Sequence, residues 1–146
     1  MVDLEKAIRA LSENNVEFVI VGGVAIRLHS SSYITVDLDF CYSRDRLNIE
    51  RLVRALAPFD PKPRDWQEDL PFFFDERTII NGTNFTFETT IGDIDLLGEV
   101  KGIGVYSDVV KNSVEFEVYG TKIRAFTVDA LIISKTAADR PKDHLV

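Results

Sequence analysis

The chain has 146 residues, 45% hydrophobic and 28% charged, with a net charge of −7. Such a length and balance suit one domain with a packed core and exclude a disordered or low-complexity chain, while the acidic charge argues against non-specific duplex DNA binding, which draws its affinity from Lys and Arg. One cysteine, Cys41, excludes an internal disulfide, and two histidines, His29 and His144, leave little for a zinc site or a Ser-His-Asp relay, so chemistry falls to the carboxylates.

In chain order, "MVDLEKAIRALSEN" is charged throughout and lacks the apolar run of a signal peptide; no stretch approaches a membrane span, and a cytoplasmic protein is expected. Asp3 is placed to cap a helix to about Asn14, with Leu4, Ala7, Ile8 and Leu11 at helical spacing. "VEFVIVGG" reads as a short buried strand stopped by Gly22 and Gly23, and Val24 to about His29 as a helix. "SSSYIT" is a loop leading into the apolar strand "VDLDFC". "RDRLNIERLVRALAPF" is an amphipathic helix with Leu47, Ile49, Leu52, Val53 and Leu56 on one side, ended by prolines. Residues 57–70 read as a proline-rich surface loop, "NFTFETT" and "GDIDLLGEV" as strands, and "SVEFEVYG" with "TKIRAFTV" as a hairpin about Tyr119 and Gly120. A last helix is expected from Thr127, its cap, to before Pro141. The order predicts a single α/β (α+β) domain over 1–146 with a mixed β-sheet flanked by helices.

Aspartate is among the residues strands most avoid, yet it comes in two matching pairs, Asp37/Asp39 and Asp93/Asp95. Residues two apart on a strand share a face, so each pair stands against an apolar face, Leu38 and Phe40 in one case, Ile94 and Leu96 in the other. If the strands are neighbours, a spacing of about 4.8 Å brings three or four carboxylates into one small volume. Their repulsion calls for a cation, and oxygen-only ligands suit Mg²⁺. The Gly22–Gly23 turn, at a strand-to-helix junction, offers backbone amides to an anion. It is neither a P-loop, with no Gly-Lys-Ser/Thr, nor a three-glycine dinucleotide site.

These segments, "VGGVAIRLH", "TVDLDF", "LPFFFDERTIINGTNFTFETTIGDIDLLGEVKGIGVY" and "ISKTAADRPKD", resemble the DNA polymerase beta-like nucleotidyltransferase superfamily, and within it the small prokaryotic AbiEii/AbiGii toxin-type and minimal nucleotidyltransferases. The resemblance implies the nucleotidyltransferase fold, with Asp37 and Asp39 as the metal pair and Asp95, or less readily Asp93, as the third acid. It implies two Mg²⁺ ions with nucleotide bound, Gly22 and Gly23 facing the triphosphate, and Lys135 and Arg140 contacting its phosphates. The implied reaction moves a nucleoside monophosphate from an NTP to a hydroxyl on RNA, protein or a small molecule, with a cognate antitoxin as a further partner. Tyr33 stands where relatives often carry a basic residue, and the chain stops where relatives commonly continue into another helix, which keeps open a catalytically silent nucleotide-binding module of the same fold. A haloacid dehalogenase-type phosphatase also uses Asp-x-Asp after a buried strand, but its motif continues to a Thr where this chain has Cys41.

Overall fold

The computed structural model describes residues 2–29 and 37–138. Helix α1 (Leu4–Glu13) begins where expected: the Asp3 carboxylate accepts from the Lys6 N–H at 3.2 Å, and Ala7, Ile8 and Leu11 are buried. Strand β1 (Phe18–Val21) is buried along its whole length. After it Gly22, at φ 74°, turns the chain into α2 (Gly23–His29). Strand β2 (Asp37–Tyr42) runs antiparallel to β1, Asp39 opposite Val21.

Helix α3 (Arg46–Leu56) corrects one expectation. Leu47 is 56% exposed, while Asn48 is buried with Ile49, Leu52, Val53 and Leu56. A period of 3.6 puts positions 48, 49, 52, 53 and 56 on one stripe and leaves 47 off it. Burial of Asn48 is possible because its amide is fully used: Oδ1 accepts from the Glu17 N–H at 2.6 Å, and Nδ2 donates to the carbonyls of Glu17 and Ser43. The side chain thus ties α3 to the approach of β1 and to the end of β2. Asn48→Ala is expected to strand these backbone groups and cost about 1–3 kcal/mol, read as a lower urea midpoint with unchanged m.

The proline-rich segment is more ordered than a plain loop. It contains a 3₁₀ turn (Ala57–Phe59) and a two-residue edge strand β3 (Lys62–Pro63), where a proline costs no interior ladder bond. A short helix α4 (Glu76–Ile80), capped by Asp75, precedes β4 (Asn84–Thr89) and β5 (Gly92–Leu97). The expected strand over "GDIDLLGEV" breaks at Gly98. Its tail becomes β6 (Glu99–Val100), paired with β7 (Gly104–Val105) in a separate ribbon. A further helix, α5 (Tyr106–Lys111), leads to β8 (Ser113–Val118) and β9 (Thr121–Phe126), the foreseen hairpin, whose turn residues Tyr119 and Gly120 both have positive φ. Helix α6 (Val128–Ala138) is capped by Thr127, whose Oγ1 accepts from the Ala130 N–H.

Seven strands form one mixed sheet in the order β3-β4-β5-β2-β1-β9-β8, with parallel pairs β2/β5 and β1/β9. Leu38 and Phe40 of β2, Ile94 and Leu96 of β5 and Phe87 of β4 are buried on one face of it. The aspartates stand on the other. No described helix is long and apolar enough to cross a membrane.

Candidate functional site

The parallel register sets Asp37 beside Asp93 and Asp39 beside Asp95. Because β2 and β5 are neighbours in step, alternation alone sends all four carboxylates to one face. Three of them converge: one oxygen from each of Asp37, Asp39 and Asp95 lies within 4.8 Å of the others. Asp93 stands outside this group, its carboxylate 3.6 Å from Nη2 of Arg64.

Burial, then the charge of Asp95 and a hydrogen bond shared with it, then Asp37, push the Asp39 carboxyl up to about 7, while Arg64 opposes the rise. Burial raises Asp95 as well, against the pull of Arg64. Each of the two acids therefore holds a proton more readily than a free aspartate when no cation lies between them. Asp39 Oδ1 is buried without a hydrogen-bond partner among the described residues. A buried carboxylate oxygen is ordinarily satisfied, so an orphan lone pair amid an oxygen-only donor set fits a hard divalent cation.

Gly22 runs against this cluster. A Cβ placed there would collide with the Asp39 carboxylate, and its φ of 74° disfavours any side chain. Gly22→Ala is accordingly expected to lower stability by about 1–3 kcal/mol through strain and to displace Asp39, read by thermal melting alongside any catalytic loss. Gly22, Gly23 and Asp39 share a cleft of about 440 Å³ with Lys101, Leu131 and Lys135. Lys135, singled out in the sequence, lines the same cleft as the glycine turn. Lys101, in the link between β6 and β7, was not foreseen. Arg140 and Tyr33 lie outside the described residues.

Arg64 is the other side chain that sequence reasoning missed. It follows β3, donates its backbone N–H to Thr86 of β4, and reaches Asp95 with Nη2 at 3.2 Å. Its Nε is buried with no partner among the described residues. The signal was the alternation of Lys62 and Arg64 in "PKPRD", unreadable until β3 is known to pair with β4.

Among curated proteins none matches the sequence significantly. Among solved structures, TM1012 of Thermotoga maritima, a protein assigned to the nucleotidyltransferases, is similar in fold at TM-score 0.66 and 14% identity, covering 99% of this chain and 91% of its own. The lincosamide antibiotic adenylyltransferase LnuA in its lincomycin-bound form follows at 0.60 and 12%, covering 97% and 90%. The antibiotic-resistance factor ANT(2'')-Ia is similar at 0.56 and 16%, covering 97% and 76%. These likenesses bear out the mixed-sheet nucleotidyltransferase fold. The family model described as "Nucleotidyl transferase of unknown function (DUF2204)" matches residues 1–145, and the chain belongs to that family of nucleotidyltransferase enzymes.

Proposed function

We propose that the chain transfers a nucleoside monophosphate from an NTP to the hydroxyl of an acceptor at the Asp37, Asp39 and Asp95 cluster, as a cytoplasmic enzyme. The observation that carries this reading is the meeting of three carboxylates around the unpartnered Asp39 Oδ1. Asp37, Asp39 and Asp95 would hold Mg²⁺, two ions once nucleotide is bound. The chemistry such cations supply is neutralisation of the triphosphate and polarisation of the acceptor oxygen. Asp95 takes the hydroxyl proton as the acceptor oxygen bonds to the α-phosphorus. The bond to the bridging oxygen breaks, and pyrophosphate leaves. Gly22 and Gly23 let the backbone approach the triphosphate, and Lys135, joined by Arg140, counters its charge. The side chains do little covalent work; positioning and charge carry the rate.

A small-molecule acceptor is favoured over RNA or protein, since LnuA is an adenylyltransferase of a lincosamide antibiotic and ANT(2'')-Ia is an antibiotic-resistance factor. A toxin role with a cognate antitoxin is the further reading of the sequence resemblance, and the acceptor screen separates it from the first. The silent nucleotide-binding alternative is favoured by one observation, the guanidinium of Arg64 already set against Asp95 and Asp93. The test uses NTPs labelled at either the α or the γ phosphate, with Mg²⁺ and panels of small molecules, tRNA and protein. Label from the α position alone, appearing on an acceptor with pyrophosphate released, is the expected result. Nucleotide binding without transfer to any acceptor selects the silent module.

A further inference from the structure

The β6/β7 ribbon returns the chain to the cleft that holds Gly22 and Asp39, and its turn carries Lys101 there. Backbone bonds fix this placement. Asn84 Oδ1 accepts from the N–H groups of Gly98 and Glu99 at 2.9 and 3.3 Å, and its Nδ2 donates to the Glu99 carbonyl, which pins the ribbon to the start of β4. The Ile103 N–H donates to the Val100 carbonyl at 3.0 Å and closes the turn. At the tip Gly102 lies against α6. A Cβ there would stand 2.6 Å from the Ala137 Cβ and 3.3 Å from the Ile133 carbonyl oxygen, and φ is 87°, so glycine alone permits the approach without strain.

The two lysines of the cleft therefore come from elements seated on each other. Leu131, Ser134, Lys135 and Ala138, spaced by three and four residues, turn one stripe of α6 to the cleft, while Ile133 and Ala137 on the adjoining stripe carry the ribbon. In a chain of net charge −7, neither Lys101 nor Lys135 has an ion pair among the described residues. The cleft's acids are Asp39, which faces the carboxylate cluster, and Glu99, which pairs with neither lysine. Two unneutralised ammonium groups on one cleft favour an anion carrying several charges.

We propose that Lys101 is a further nucleotide-binding residue, and that the ribbon and α6 hold the pyrophosphate half of the NTP between Lys101 and Lys135. The inference rests on the nucleotidyl-transfer reading and adds to it a determinant of triphosphate recognition. Lys101 contacts the phosphates beyond the α-phosphorus, so the ribbon favours a triphosphate over a monophosphate.

The probe is inorganic tripolyphosphate with Mg²⁺, followed by calorimetry, which requires neither turnover nor the identity of the NTP. Lys101→Gln is expected to weaken tripolyphosphate at least about tenfold and orthophosphate less than about twofold, while Lys101→Arg retains most of the affinity. Gly102→Ala keeps the lysine but lifts the ribbon from α6, and should weaken tripolyphosphate to a similar degree in protein shown by its melting curve to be folded. Lys6→Gln on α1 removes the same charge elsewhere and leaves binding unchanged. Full affinity in Lys101→Gln, an equal loss in Lys6→Gln, or no tripolyphosphate binding by the wild type overturns the proposal. Transfer of α-label from NTP is measured in parallel. If wild type and Lys101→Gln transfer alike, with equal KM for NTP, the assignment of Lys101 falls while the nucleotidyl-transfer reading stands. If tripolyphosphate binds through Lys101 and no acceptor is labelled, the transfer reading fails and the ribbon's role in binding stands.

Discussion

Asp39→Asn is expected to abolish label transfer, by at least about a thousandfold, while leaving the fold intact and the metal-free protein more stable. In the absence of cation, Asp39 is half-buried beside two other carboxylates and its own group is raised from 3.8 to about 7. A carboxyl raised in the folded state keeps its proton longer there than in the unfolded chain. Its ionisation costs nothing below pH 4, erodes stability progressively between pH 4 and 7, and exacts the whole penalty above pH 7. The amide cannot ionise, so the variant loses this slope and gains on the order of 1 to 3 kcal/mol at pH 8, the wet side of the site screening the rest. Melting curves at pH 4, 6 and 8 without metal measure it. The wild-type midpoint should fall across the series while that of the variant holds nearly level. An aspartate with a purely structural role would give the reverse, a destabilised variant that still transfers label.

Arg64→Gln should expose the same charge from the other side. The guanidinium is the described cation paired with both Asp93 and Asp95, so its loss leaves the cluster to repel itself. The metal-free variant is expected to melt lower at pH 8 by the equivalent of about 1–2 kcal/mol, with a smaller deficit at pH 5, where Asp39 holds its proton. Millimolar Mg²⁺ should then raise the midpoint of the variant more than that of the wild type, since the ion no longer competes with a resident positive group. Equal Mg²⁺ responses in the two proteins would show that Arg64 and the metal occupy separate electrostatic territory.

The aspartates could be read from the sequence because alternation on a strand is a local property. "VDLDFC" and "GDIDLL" declare their two faces without reference to anything else. What joins them is the β2/β5 pairing, and that followed only from the wish to bring like charges to one ion. The cap at Asp3, the Tyr119–Gly120 turn and the cap at Thr127 were legible for the same reason, each being set by three or four consecutive residues. Arg64 was not, because it matters only through β3, a two-residue strand whose partner lies more than twenty positions on. Asn48 escaped because a polar residue on an apolar stripe looks like a solvated position until its three hydrogen bonds are seen. The helices α4 and α5 are only 5 and 6 residues long, too short for a periodic signal to rise above the surrounding apolar sequence.

The β2/β5 ladder has a temporal consequence. It is a parallel pairing between segments far apart in the chain, and such pairings form slowly because a large loop must close before any ladder bond rewards it. Asp37 and Asp39 emerge from the ribosome long before Asp95, with β1 as their early partner and a bare edge where β5 will dock. A nascent or half-folded chain therefore owns two of the three carboxylates and cannot assemble the cluster. The three carboxylates meet only once the sheet has closed around its centre, and a slip of one residue in that docking would turn Asp95 to the opposite face. If the cluster binds metal as proposed, recovery of that binding during refolding marks completion of the native register and lags any probe of the β8/β9 hairpin or of α1.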